Sequence, residues 1–100
     1  MMDRETEVLE MIKSALSSAK PLLGNRKVVL FGSRACGRAK PRSDFDLAVT
    51  GAPMPLNDFY TIEGMLEKLP TLYRIDWIDL ARADTKFAQR ALRQYEVIYG

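Results

Sequence analysis

The sequence predicts an α/β (α+β) fold built around a small mixed β-sheet. Amphipathic helical patterns alternate along the chain with short runs rich in β-branched and aromatic residues. The length of 100 residues and the 47% hydrophobic content suit one hydrophobic core, and no linker, repeat or low-complexity stretch divides the chain. We therefore expect a single domain over residues 1–100.

The first half of the chain predicts a helix and two strands. Between residues 4 and 23, apolar residues recur at spacings of three and four, which is typical of one face of an amphipathic helix. A Gly-Asn turn follows, and residues 27–31 form a β-rich run that ends at Gly32. The second strand covers residues 44–49, where alternation separates two sets, Phe45, Leu47 and Val49 on one face and Asp44, Asp46 and Ala48 on the other.

The second half predicts two further helices and two further strands. Asn57 or Asp58 can cap a helix that Pro70 stops. A third strand is expected over residues 72–80, and Asp84 is the expected N-cap of the last helix. Residues 96–99 are expected to form a short final strand.

Composition excludes several classes of chemistry. The chain has no histidine, which removes Ser-His-Asp and Cys-His nucleophile systems and His-ligated metals. One cysteine allows no internal disulfide, no apolar run approaches the ~20 residues that cross a bilayer, and the N-terminus is acidic where a signal peptide is basic. We therefore expect a cytoplasmic protein with no membrane partner.

The small net charge of +2 conceals strong segregation. Residues 11–43 carry eight basic side chains and no acidic one, whereas acidic residues dominate between positions 44 and 79. In most proteins, such basic and acidic segments simply alternate on a solvated surface. The alternative is that the basic side chains face an acidic pocket, an arrangement suited to a metal-bound polyphosphate. Nucleic acid is not favoured as a partner, because no stacking aromatic lies among the clustered basic residues between positions 34 and 42.

The most informative pattern is Gly32-Ser33 followed, after ten residues, by Asp44-Phe45-Asp46. Carboxylates two positions apart on a strand share one face, and carboxylate and phosphate oxygens are the ligands that Mg²⁺ prefers. The preceding turn offers backbone N–H groups to an anion. It is not a P-loop, since Arg38 and Ala39 stand where Lys and Ser or Thr are required.

A third carboxylate is available on the third strand, as Asp76 or Asp79. Alternation places Asp76 on the face of Asp44 and Asp46, and Asp79 on the aromatic, core-facing side with Trp77. We favour Asp76, with Asp79 as a strand-end cap or as a group that supports the metal ligands without binding the metal. An ion pair between Asp76 and a nearby arginine is the competing interpretation.

Together, residues 28–37 and 43–49 resemble the nucleotidyltransferase signature of the DNA polymerase beta superfamily. The short length and the strand around Asp76 resemble its minimal members, the MNT proteins of MNT–HEPN toxin–antitoxin pairs. This resemblance implies the polymerase beta-like fold, with helices packed on one face of the sheet. Cys36, where a basic residue is frequent, and Gln94-Tyr95, where a glycine turn is frequent, depart from the pattern.

The resemblance also implies roles for individual residues. Asp44, Asp46 and Asp76 would be the catalytic residues and the ligands of two Mg²⁺ ions. The nucleotide-binding residues would be four in the basic segment and its turn, Gly32, Ser33, Arg34 and Arg42. Arg42, with its basic neighbours, could clamp the triphosphate or serve only as an exposed charge.

The implied reaction is transfer of a nucleotidyl group, AMP from ATP, to a hydroxyl. Relatives that modify small molecules carry a further domain for the acceptor, so we expect a second chain to present it here. The resemblance names a helical HEPN toxin, which an MNT antitoxin inactivates by adenylylation. The alternative is a non-catalytic nucleotide-binding antitoxin that neutralises its partner by forming a complex.

Overall fold

The computed structural model of the chain describes residues 4–35 and 44–100. These residues form four helices, four strands and two 3-10 turns, Gly32–Arg34 and Leu80–Arg82. In chain order the helices and strands are α1 Arg4–Ser18, α2 Lys20–Leu23, β1 Val28–Phe31, β2 Phe45–Val49, α3 Leu56–Glu67, β3 Ile75–Asp79, α4 Thr85–Ala91 and β4 Tyr95–Tyr99.

The four strands form one mixed sheet in the order β3-β2-β1-β4. β1 pairs antiparallel with both β2 and β4, whereas β2 and β3 run parallel. The parallel pair is connected through α3, as parallel neighbours require a crossover. The predicted mixed sheet and α+β class are confirmed.

Alternation along the strands divides the buried side chains between the two faces of the sheet. The larger cluster lies under α1, α2 and α3 and contains Leu30, Phe45, Leu47 and Trp77. A smaller cluster on the opposite face contains Val29, Phe31 and Ala48, and it is joined there by Ala88 and Ala91 of α4. Three helices therefore cover one face, and the short α4 covers only part of the other, which leaves room for a site.

Two predicted helix boundaries differ from the observed ones. The predicted helix over residues 4–23 is divided at Ala19 into α1 and α2, because Pro21 has no N–H to continue the ladder and its ring clashes with the preceding turn. The third helix begins at Leu56 after Pro55, without a side-chain cap, so the cap predicted at Asn57 or Asp58 is wrong.

The last predicted elements are largely confirmed. The carboxylate of Asp84 accepts a hydrogen bond from the backbone N–H of Lys86 at 2.7 Å, as an N-cap does. The final strand is present and forms an edge of the sheet beside β1. The third strand begins three residues later than predicted, at Ile75. Every helix within the described residues is too short or too polar to span a lipid bilayer.

Candidate active site

A row of four paired residues crosses the partly open face of the sheet. Asp76 pairs with Asp46, Asp46 with Phe31, and Phe31 with Tyr95, in strand order β3-β2-β1-β4. Directly paired residues point to the same face, at a strand spacing of about 4.8 Å. Two carboxylates therefore lie next to two aromatic rings, on the face opposite the larger core.

Asp46 is the most strongly perturbed carboxyl in this row. Its pKa is raised from 3.8 to about 6, first by burial and then by repulsion from, and a side-chain hydrogen bond with, the neighbouring carboxyl of Asp76. Asp44 adds a smaller repulsion, and Arg74 acts in the opposite direction. A bound cation would offset the repulsion that these neighbouring carboxylates exert on Asp46.

The raised pKa of Asp46 predicts that metal-free stability falls with rising pH. The folded protein holds the proton of the Asp46 carboxyl more tightly than the unfolded chain does. The contribution of Asp46 to the free energy of unfolding is therefore complete below about pH 4 and is lost as the pH rises through about 6. At pH 7.5, Asp46→Asn should raise the free energy of unfolding by roughly 1 to 2 kcal/mol, a value discounted for partial solvent screening. Urea unfolding in EDTA at pH 4.5 and pH 7.5 measures this, and an equal difference at both pH values would contradict the assignment.

Gly32 follows β1 and lies directly against the Asp46 carboxylate. Its φ of +76° falls in the left-handed region, which favours glycine. A Cβ at this position would collide with the carboxylate oxygen Oδ2 of Asp46 and would lie 3.3 Å from its Cγ. The turn and the carboxylate therefore approach each other as closely as the backbone allows.

Gly32→Ala should therefore displace the Asp46 carboxylate. We expect the nucleotide transfer that the sequence resemblance implies to fall by about 10²-fold or more, because the reacting groups are misplaced. The free energy of unfolding should fall by about 1 to 3 kcal/mol from the strained φ. Gly64→Ala is the matched control, since its added Cβ meets nothing within 4 Å on α3 and should leave activity unchanged.

Asp44 and Asp76 flank Asp46 and are partly exposed. Asp44 immediately precedes β2, and Asp76 accepts from Nε of Arg74 at 3.1 Å. The Arg74 side chain is 76% exposed, and ion pairs at the surface contribute at most about 1 kcal/mol. The arginine pair foreseen for Asp76 therefore exists, but it is weak enough for Asp76 to exchange it for another cation.

Asp79 is placed in a different environment and makes different contacts. Its side chain is buried; Oδ2 accepts from the backbone N–H of Met54 at 2.9 Å, and Oδ1 accepts from that of Ala81 at 3.0 Å. Arg82 completes the group with an ion pair at 3.0 Å. Asp79 thus caps the 3-10 turn after β3, as the alternation indicated.

Arg34 follows the Gly32-Ser33 turn but points toward the helix-covered face. Its guanidinium lies 4.2 Å from the ring centre of Phe45 and 5.0 Å from that of Tyr73. Its Nη1 is 2.7 Å from Oε1 of Glu5, so it ties α1 to the turn. Nucleotide binding by Arg34 stays a prediction, and the contacts observed here are structural.

The sequence family is shown by comparison with known proteins. The model of the polymerase beta nucleotidyltransferase family matches residues 10–100, most of the chain. The chain belongs to this family. The resemblance seen in the Gly-Ser and Asp-x-Asp pattern is thereby confirmed. No curated protein matches the chain.

Solved nucleotidyltransferase structures share the fold. A protein assigned provisionally as a minimal nucleotidyltransferase is 28% identical, with a TM-score of 0.59 and 95% of each chain covered. A toxin–antitoxin structure with AMP-PNP has a TM-score of 0.65 at 22% identity, over 88% of this chain and 73% of that one. A complex of tri-AMPylated Shewanella oneidensis HEPN toxin with MNT antitoxin has a TM-score of 0.62 at 19% identity, over 92% of this chain and 72% of that one.

In this nucleotidyltransferase, the carboxylates that could hold a metal ion are close but do not form a complete ligand set. Within residues 4–35 and 44–100, no three acidic or cysteine side chains converge on one point. Asp46 and Asp76 nevertheless fit a divalent cation, because they are adjacent, and because burial together with repulsion from Asp76 raises the pKa of Asp46. Phosphate oxygens of a bound nucleotide are the further ligands that Mg²⁺ commonly takes.

Part of the predicted nucleotide site cannot be compared with the structure. Arg42 lies outside the described residues, as do Arg38 and Cys36, and only the backbone of Ser33 is described. Their predicted roles therefore stay predictions.

The sequence patterns did not identify Phe87 or Tyr95 as neighbours of the carboxylates. Phe87 lies on α4, and the sequence marked Tyr95 only as part of a departure from a frequent glycine turn. Both are partly exposed beside the site. The pairing of β4 with β1, which no local pattern specifies, is what brings Tyr95 into line with the carboxylates.

Proposed function

We propose that this nucleotidyltransferase moves AMP from ATP to a hydroxyl on a helical HEPN-type partner protein, in a Mg²⁺-dependent reaction that silences the partner. The observation that carries the proposal is the Asp46–Asp76 pair set against the Gly32 turn. The family match supports nucleotidyl transfer. The fold shared with antitoxins whose structures contain AMP-PNP or an AMPylated HEPN toxin supports ATP and this class of partner.

We propose that one group of residues binds the phosphates and that a second group acts at the reacting centre. Gly32 lets the backbone of the turn approach the β- and γ-phosphates, and Ser33 and Arg42 are proposed to bind them as well. Asp44, Asp46 and Asp76 would hold two Mg²⁺ ions. When bound, such ions lower the pKa of an attacking hydroxyl and neutralise the leaving oxygens.

Positioning and charge stabilisation then account for the catalysis. The attacking hydroxyl forms a bond to the α-phosphorus in line with the bond to the β-phosphate, which breaks and releases pyrophosphate. None of these steps needs an imidazole, which agrees with the absence of histidine from the chain. We propose that residues 1–100 form one domain that acts in the cytoplasm, where ATP is available.

One observation favours a second candidate, a non-catalytic antitoxin that binds nucleotide and partner without transfer. Asp76 is engaged with Arg74, and the described acidic residues do not form a complete set of ligands. A protein that only binds its partner could keep the Asp76–Arg74 ion pair and would not need a complete set of metal ligands. The two candidates differ in whether the partner leaves the complex covalently modified.

Transfer of label from ATP tests the proposal. The chain is incubated with the HEPN-type protein of its native host, Mg²⁺ and ATP labelled at the α-phosphate, and the denatured proteins are separated. We expect label on the partner, absent when Mg²⁺ is chelated. An unlabelled partner that still forms a stable complex would support the second candidate.

A further inference from the structure

We infer that Phe87 of α4 is a stacking platform for the nucleobase of the nucleoside triphosphate. This inference rests on the proposed function, because it assigns a ligand group to a side chain beside the same carboxylates. It adds a nucleotide-binding residue that neither the Gly-Ser turn nor the Asp-x-Asp pattern contains.

Phe87 shares a cleft with the two central carboxylates. The cleft has a volume of about 720 Å³ and is lined by Asp46, Asp76, Phe31 and Phe87, among others. The Phe87 side chain remains 36% exposed although it packs against the sheet. An aromatic ring left open toward solvent beside charged groups offers a surface that a planar ligand can cover.

Contacts with Phe31 hold the Phe87 ring in place. The two ring centres are 5.9 Å apart and the rings are nearly perpendicular, at 89°. Phe31 precedes Gly32 and pairs with Asp46, so the platform is attached to both the turn and the carboxylates. A ring fixed in this way loses little conformational entropy when a base stacks on it.

The chemistry of the cleft selects a nucleotide over other planar ligands. Its carboxylate side suits a metal-bound phosphate chain, and its aromatic side suits an uncharged ring. Phe31, the neighbour on which Phe87 rests, is one strand spacing of about 4.8 Å from Asp46. Phe87 lies one further ring contact of 5.9 Å beyond Phe31, so the base and the phosphates would be separated by the sugar between them, and a purine offers the larger stacking surface.

The same ring also borders a groove that could take a protein side chain. Leu56 and Tyr60 of α3 line that groove together with Phe87, and both are more exposed than Phe87. Tyr60 does not line the carboxylate cleft. Substitution of Tyr60 therefore distinguishes base stacking from binding of a protein side chain, since stacking of a base in the cleft should depend on Phe87 and not on Tyr60.

Binding measurements with two ligands test the inference. α,β-Methylene ATP carries the base but cannot transfer AMP, and inorganic tripolyphosphate carries only the phosphates. Titration calorimetry with Mg²⁺ compares the wild type with Phe87→Leu, which keeps an apolar contact with Phe31. We expect Phe87→Leu to weaken binding of α,β-methylene ATP by about 5- to 100-fold, the range for loss of one base stack, with tripolyphosphate unchanged.

Two further variants serve as controls. Phe87→Trp should restore or strengthen binding of α,β-methylene ATP, because the larger ring also stacks. Tyr60→Leu should leave binding of both ligands unchanged. Thermal unfolding of each variant verifies that the fold persists.

The outcomes distinguish this inference from the function on which it rests. Unchanged binding of α,β-methylene ATP by Phe87→Leu would overturn the platform while leaving nucleotide binding intact. Equal weakening of both ligands would also overturn it, because Phe87 would then act through Phe31 and Asp46. If neither ligand binds to the wild type, the proposed function itself fails. Weaker partner binding by both Tyr60→Leu and Phe87→Leu, without a nucleotide effect, would assign the ring to the protein interface.

Discussion

Replacing Asp44 and Asp46 together by Asn is expected to abolish nucleotide transfer while the protein stays folded. The substitutions preserve side-chain shape but remove the negative charges that would hold Mg²⁺ opposite the phosphates. We expect the transfer rate to fall by at least about 10³-fold, the scale on which loss of preorganised charge acts. Label transfer from ATP to the partner measures the rate.

Stability distinguishes this loss from simple unfolding. Asp46 is destabilised in the folded state by burial and by Asp76, so the double variant should unfold at the same urea concentration as the wild type or at a higher one. Glu96→Gln, on an exposed position of β4, is the control for charge loss elsewhere and should retain activity. Full activity in the double variant would show that these carboxylates are not the catalytic site.

Asp76 and Asp79 should respond to the same substitution in opposite ways. Asp79→Asn replaces a buried acceptor of two backbone N–H groups and an ion-pair partner of Arg82. We expect the free energy of unfolding to fall by about 2 to 4 kcal/mol, since buried donors lose charged acceptors. Urea unfolding measures this value, and residual transfer should follow the folded fraction.

Asp76→Asn should instead leave stability within about 1 kcal/mol, because its only described ion pair, with Arg74, is exposed. Its transfer rate should fall by about 10²-fold or more if Asp76 is the third carboxylate. The reverse pattern, with a stable inactive Asp79 variant and an active Asp76 variant, would exchange the two roles.

Much of the fold could be predicted because its signals are local. Alternation along β2 and β3 placed Asp46 and Asp76 on one face and Phe45 and Trp77 on the other, and the burial of the aromatic pair confirms this. Asp84 was predicted as a cap because capping depends on neighbouring N–H groups. The division of the first helix was missed because apolar spacing continued through Pro21.

The remaining features depend on contacts between distant segments. Arg34 is next to the Gly32-Ser33 turn in sequence, yet Glu5 and the rings of Phe45 and Tyr73 define its position. Phe87 approaches the carboxylates only because α4 returns to the open face of the sheet. No helical periodicity distinguishes a ring that lines a cleft from one that fills a core.

The state of the partner after it leaves the complex tests the central claim most directly. A HEPN-type partner is incubated with the chain, Mg²⁺ and ATP, then separated under denaturing conditions and its intact mass is measured. The proposal predicts a partner that carries covalent AMP, with no added mass when the Asp44→Asn, Asp46→Asn double variant replaces the wild type. An unmodified partner that is inhibited only while the complex persists would contradict catalysis and identify the chain as a binding antitoxin.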